Sequence, residues 1–195
     1  VSGVTQAEPA AVIEEAARRN SCRLFRLGRD FDSDYRRMMI MAPRDDDARQ
    51  LATLGTELDY SETIDGESKV WRELQLGMAG AHQAANAAVA IAVAGRLDGL
   101  GWDLQETSIR RGLAQARSPA RTEIVAQRPT VLVDVAHNVA SIAALLEVLR
   151  EAFAGSRQKT LLFATSRDKD ARQMLELLTP WFDSVILTRY LNNPR

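Results

Sequence analysis

The chain has 195 residues, close to half of them hydrophobic, and its 25 Lys and Arg nearly balance 26 Asp and Glu. That is room for one generous domain or two small ones with a true core. The cancelling charge leaves no basic stripe for capture of nucleic acid or an anionic membrane. Cys22 is the only cysteine, which rules out an internal disulfide and fits a reducing compartment. No apolar run is long enough to span a bilayer, and the N-terminus lacks the basic-then-apolar layout of a signal peptide. A soluble, cytoplasmic protein is therefore expected. The chain begins at Val1 and ends on Asn-Asn-Pro-Arg directly after a strand-like run, so both ends read as cut and a fragment is expected.

Taken in order, residues 1–4 read as the tail of a strand. A helix follows from about Pro9 through Val12, Ile13, Ala16 and Ala17, with the proline suited to a first-turn position. Residues 21–27 read as a second strand, closed by the polar turn Gly28-Arg29-Asp30. From 32 to 69 the pattern is the least legible. Residues 38–41 make a short apolar run stopped by Pro43. Asp45, Asp46 and Asp47 suit the start of a short helix through Leu51 and Leu54, because carboxylates favour helix N-termini. As a metal cluster they point in different directions, so a solvated cap is the better reading.

Residues 70–76 alternate as a strand. The alanine-dense run 81–94 then predicts a helix, with His82 and Asn86 one turn apart near its start. An asparagine inside a helix competes for backbone hydrogen bonds, so Asn86 needs a partner, either nearby backbone or a ligand. Gly99 and Gly101 end that helix, and Asp103 with Glu106 has capping-box spacing for the next, carrying Leu104, Ile109 and Leu113. Ser118-Pro119-Ala120 breaks the pattern and marks a domain boundary, giving domains at 1–117 and 118–195.

Beyond the break, strands at 122–126, 131–133, 160–164 and 185–187 alternate with helices at 141–153 and 171–182, the order of a doubly wound sheet. Thr130 to Val133 is β-branched and apolar without alternation, which predicts a strand buried on both faces of a parallel sheet. It runs into Asp134, His137 and Asn138, which places these three in a strand-to-helix turn where open α/β sheets bind ligands. The loops 165–170 and 188–193 leave the other strand ends in the same way.

Local motifs exclude several chemistries. There is no Gly-x-x-x-x-Gly-Lys-Ser/Thr phosphate loop and no Gly-x-Ser-x-Gly elbow. The two histidines lie far apart, without Cys or His partners at metal-ligand spacing, so no metal site is expected in this chain. Arg121 and Glu123 share one face of a strand; they form either a surface ion pair of little worth or a guanidinium free to grip phosphate in a bidentate fork. Asp134 either caps its turn or binds a ligand, and His137 either fills a polar pocket or acts in chemistry.

Taken together, Gly-Ala-His-Gln-Ala-Ala-Asn-Ala at 80–87, Pro-Ala-Arg-Thr-Glu at 119–123, Asp-Val-Ala-His-Asn at 134–138, Asp-Lys-Asp at 168–170 and Asn-Asn-Pro-Arg at 192–195 resemble the folylpolyglutamate synthase/dihydrofolate synthase family of the Mur-ligase superfamily, in order and in spacing. Val-Ser-Gly-Val-Thr-Gln at 1–6 and Leu-Gly-Arg-Asp-Phe at 27–31 fit as well, so that only 33–69 falls outside the resemblance. Val135 and Val139 depart from it, standing where that family commonly has Gly and Pro. The resemblance implies an α/β chain: the end of a P-loop-type ATPase domain lacking its phosphate loop, then a truncated Rossmann-like doubly wound C-terminal domain. It also implies an ATP-dependent amide ligase that adds L-glutamate to dihydropteroate or a folate through an acyl phosphate. ATP and Mg²⁺ would serve it, with the Mg²⁺ ligands upstream of Val1, and its partners would be small-molecule substrates of a monomer. By the same resemblance Asn86 contacts adenine, with His82 supporting that helix start. Asp134 reaches the ribose hydroxyls, and Asn138 is a secondary nucleotide contact. Arg121 at the phosphates, and His137 at the nucleotide or the incoming glutamate, are the catalytic pair. The fragment alone is expected not to turn over ATP. Two rivals remain: another Mur-type ligase joining a different acid and amine, and a non-catalytic nucleotide-binding α/β module.

Overall fold

Aromatic and β-branched residues alternating along the chain build the centre of the first half. In the computed structural model, which describes residues 1–41 and 53–189, strands β1 (Phe31–Met41), β2 (Thr53–Ile64) and β3 (Glu67–Leu76) form an antiparallel sheet in the order β1-β2-β3. This meander is what the sequence left illegible between 32 and 69. Its clearest local signal is Asp65-Gly66, both at positive φ (55° and 84°). Two successive residues in that region make the tight hairpin turn whose twist suits β-strands. Along β2 the side chains of Leu54, Thr56, Leu58 and Tyr60 are buried, the period-two pattern of one sheet face. Asp45 to Asp47 and Leu51 lie outside the described residues, and Leu54, where the short helix was expected to run, belongs instead to β2.

Helix α1 (Ala7–Arg19) precedes the sheet, and α2 (Ala81–Leu97) and α3 (Glu106–Gln115) follow it. The buried apolar positions of α2 are mostly small: Ala84, Ala87, Ala88 and Ala92, with Ile91 the one large hydrophobic residue. They pack in one core with Phe31, Leu58, Tyr60, Trp71, Leu74, Leu76 and Leu113 of α3. Alanines let a helix backbone approach the sheet closely, and the aromatic rings fill what remains, with Tyr60 lying 6.4 Å from Phe31 and 6.0 Å from Trp71, centroid to centroid.

Two local expectations change here. The strand expected at 21–27 reduces to two isolated parallel bridges, Ser2 with Arg26 and Leu27 with Phe31; in the first, Ser2 N donates to Phe25 O at 2.8 Å and Leu27 N to Ser2 O at 3.0 Å. The capping box expected from Asp103 and Glu106 does not form. Gln105 occupies the cap position without a side-chain bond, and Asp103 is left-handed at φ 47°. Leu104 N is taken instead by Asp98 Oδ1 at 2.9 Å.

The chain divides into two compact units between Pro119 and Ala120. In the second, β4 (Glu123–Gln127) and β5 (Thr130–Val133) form an antiparallel hairpin, while β6 (Thr160–Phe163) and β7 (Ser184–Leu187) pair in parallel. Helices α4 (Val139–Phe153) and α5 (Ala171–Leu178) supply the core with Ile142, Leu146, Leu149, Met174 and Leu178, against Phe163 of β6. The expectation that β5 is buried on both faces of a parallel sheet is corrected: Val131 and Val133 are 41% and 39% exposed. Only Arg128 and Pro129 separate β4 from β5. Two residues close a hairpin but cannot make the crossover that parallel neighbours need.

Candidate functional site

The turn leaving β5 is organised by Asp134. Its Oδ1 accepts from Ala136 N at 2.7 Å, closing a local turn of the kind aspartate favours. Its Oδ2 reaches back to the segment before β4, accepting from Thr122 N at 2.7 Å and Thr122 Oγ1 at 3.3 Å. Val135 N adds a parallel tie by donating to Ala120 O at 2.8 Å. Residues 120–122 and 134–136 are thus sewn together by main-chain donors. Three of the carboxylate's roughly four acceptor sites are taken, so the turn-capping alternative for Asp134 is present in the structure.

The segment so held is strained. Ala120 and Thr122 have φ of 54° and 52°, a region that non-glycine residues seldom occupy and β-branched ones almost never. Thr122 is buried, whereas Arg121 between them is exposed. No hydrogen bond or ion pair is made to the Arg121 guanidinium among the described residues. Glu123, the partner that a surface ion pair would need, turns back instead and accepts from Ala120 N at 2.7 Å.

His137 and Asn138 complete the turn. Asn138 is the N-cap of α4: its Oδ1 accepts from Ser141 N at 2.8 Å, and Ser141 Oγ accepts in return from Asn138 N at 3.1 Å. This reciprocal pair satisfies two orphan amides of the first turn, and it starts the helix at Val139 rather than at 141. His137 is exposed, with Nδ1 3.1 Å from Val135 O. A carbonyl only accepts, so Nδ1 carries the hydrogen, and in the neutral ring Nε2 is left as an acceptor facing outward from that bond.

In the first unit His82 and Asn86 meet through Gln83, which the sequence reading passed over. Gln83 is buried; its Nε2 lies 3.1 Å from His82 Nε2, and its Oε1 accepts from Asn86 Nδ2 at 3.2 Å. The amide can only donate to the ring, which makes His82 Nε2 the acceptor. Asn86 itself is exposed. Gly80 precedes the helix at φ 103°, and its N–H is fixed by the buried Thr56 Oγ1 at 2.9 Å. The signal for Gln83 was its i, i+3 spacing to Asn86. Thr122 had no comparable local signal.

His82, Gln83 and Asn86 belong to the first unit, and Arg121, Asp134, His137 and Asn138 to the second. Among the described residues no group of three or more His, Cys, Asp or Glu side chains is placed to hold a metal ion, and no helix is long and apolar enough to cross a membrane. The Asn-Asn-Pro-Arg motif at 192–195 lies outside the described residues.

Residues 120–195 match the Mur ligase, glutamate ligase domain. The chain is 35% identical over 142 residues to a dihydrofolate synthase/folylpolyglutamate synthase of Mycobacterium tuberculosis, covering 72% of this chain and 28% of that protein. A folylpolyglutamate synthase structure from Thermotoga maritima superposes with a TM-score of 0.69 at 28% identity, over 95% of this chain and 39% of that one. A structure described as an FPGS-AMPPCP-folate complex does so with a TM-score of 0.72 at 27% identity, over 91% of this chain and 39% of that one. The chain thus spans well under half the length of these relatives.

Proposed function

We propose, from the premise that this chain belongs to the homologues of the folylpolyglutamate and dihydrofolate synthases and carries a Mur ligase, glutamate ligase domain, that it is part of an ATP-dependent ligase adding L-glutamate to dihydropteroate or a folate. The enzyme is a soluble cytoplasmic monomer in this reading. Residues 1–117 are the end of its ATPase domain and 118–195 its Rossmann-like glutamate-ligase domain.

A carboxylate is a poor electrophile. Transfer of the γ-phosphoryl group to the acid substrate gives an acyl phosphate; the glutamate amine attacks its carbonyl, the amide forms and phosphate leaves. The transfer itself offers little covalent work for side chains, so positioning and charge neutralisation carry it. The observation that carries the proposal is Arg121: an exposed guanidinium, without a partner among the described residues, standing on a segment whose backbone is fixed on both sides. Its planar fork suits two phosphate oxygens at once. Mg²⁺ accompanies ATP in such chemistry and would neutralise phosphate charge; the described residues present no ligand set for it, and its ligands are expected upstream of Val1, while Arg121 is the cation assigned to the phosphates. His137 Nε2 is an acceptor for a hydrogen of the glutamate amine. Asn86 offers an amide to adenine, its rotamer set by Gln83, with His82 holding Gln83. Asn138, whose side chain caps α4, is a secondary nucleotide contact, and Asp134 has one acceptor site left for a ribose hydroxyl.

In a full-length ligase carrying this chain, Arg121→Ala should lower kcat/KM for ATP about a hundredfold, the usual loss for one charge-stabilising donor. ATP kinetics within twofold of wild type would remove Arg121 from the reaction. Substrate class is tested by glutamate incorporation into dihydropteroate and folates set against a cell-wall peptide acid; turnover of the peptide acid alone would refute the folate assignment.

A further inference from the structure

The least ordinary backbone among the described residues of the second unit lies on either side of Arg121, and specific bonds hold each flank. Ala120 and Thr122 are the unit's only described non-glycine residues at positive φ, at 54° and 52°. Strain of this kind persists only where the surroundings over-determine it, and it gathers at functional sites. Here the surroundings are specific. Asp134 Oδ2 takes the amide and hydroxyl of Thr122, Val135 N takes the carbonyl of Ala120, and Glu123 Oε2 takes the amide of Ala120. Every bond falls on the residues flanking Arg121 and none on Arg121. A left-handed residue on each side points the intervening side chain away from the direction a regular strand start would give it, and burial of Thr122 pins that choice.

We propose that Asp134 and Thr122 are positioning residues for Arg121: the carboxylate holds Thr122 in its left-handed conformation and so sets where the guanidinium meets the phosphates. The inference rests on the phosphate role of Arg121 proposed above. It gives Asp134 its main task through Arg121 and not through the ribose, consistent with three of its acceptor sites being occupied by the protein.

The test is a double-mutant cycle on ATP kinetics in a full-length ligase carrying this chain. Asp134→Asn leaves an oxygen for one of the two turns but not both. It should lower kcat/KM for ATP about ten- to a hundredfold, the scale of a misplaced charged group, and by the same factor with 2′-deoxy-ATP. In an Arg121→Ala background the same change should cost less than about twofold, because two residues acting through one another are not additive. Equal losses in both backgrounds, or a loss that vanishes with 2′-deoxy-ATP, would overturn the proposal in favour of direct ribose contact. Arg121→Ala with unchanged ATP kinetics would overturn the underlying phosphate role, a separate measurement from the cycle. Thr122→Gly guards against a variant that merely unfolds, since glycine occupies φ near +52° without strain. It should keep the wild-type melting temperature within a few degrees yet lower kcat/KM for ATP about tenfold; full activity in Thr122→Gly would equally refute the clamp.

Discussion

Gly77 sits where the end of β3 passes beneath the last turn of α3, and it should tolerate no side chain. Its N–H donates to Leu113 O at 2.9 Å, and its carbonyl accepts from Arg117 Nη1 at 3.0 Å. The same Nη1 reaches Ala114 O at 3.1 Å and Ala116 O at 2.8 Å, closing the C-terminal carbonyls of α3. A Cβ at 77 would fall on the Arg117 guanidinium and on Ala116 O. The guanidinium can swing out, losing bonds that net about 0.5–1.5 kcal/mol each at a half-exposed site; the carbonyl cannot, because it belongs to the backbone. Gly77→Ala should therefore cost about 2–3 kcal/mol. Urea unfolding followed at Trp71, which is buried in the first unit, in a Trp102→Phe, Trp181→Phe background reads that unit alone. Because part of the loss runs through Arg117, Gly77→Ala should cost less in an Arg117→Ala background. A loss below about 0.5 kcal/mol, or full additivity with Arg117→Ala, would refute the steric argument.

Acid should act on the first unit through Asp59, whose carboxyl is held below its ordinary value by hydrogen bonds from the Arg36 guanidinium at 2.5 and 3.1 Å and from Glu73 N at 2.8 Å. A depressed carboxylate stabilises fully above its unfolded pKa near 3.8, and the stability is lost as pH falls through the lower folded value. Urea midpoints from pH 5 downward should drop faster for wild type than for Asp59→Asn, and parallel curves would contradict this. Asn138→Ala should cost about 1 kcal/mol through loss of the α4 cap, while Asn138→Ser recovers most of it, both read by thermal melts in which Trp181 reports the second unit. Leu146→Ala, at a fully buried position, should cost about 2–5 kcal/mol, whereas Ile186→Ala, 53% exposed, should stay within about 0.5 kcal/mol; equal losses would place the core elsewhere.

Features encoded at fixed local spacing were legible in the residues. The alanine run of α2, the apolar period of α4 and the strand-to-helix turn at 134–138 announce themselves, because a helix repeats its bonds four residues apart and a strand alternates every two. The meander of the first unit was legible in the strand at 70–76, within β3, and the sequence reading passed over its turn signal Asp65-Gly66. Its long strands carry polar residues at many positions, and β2 and β3 slip register at Leu58/Tyr60, which blurs a strict alternation. The hairpin of β4 and β5 was present in the two-residue spacing and was obscured by the apolar composition of β5.

The sequence by itself determined which stretches become helices, that a polar turn interrupts the second unit after β5, and which residue types stand in that turn. Tertiary structure alone decided what those residues hold. Asp134 meets Thr122 across 12 positions, Asp59 meets Glu73 across 14 and Arg117 meets Gly77 across 40. A carboxylate or guanidinium has no partner encoded in its neighbours; it bonds whichever donor or carbonyl the register of a hairpin or the end of a helix brings to it, and burial then makes that bond costly to lose.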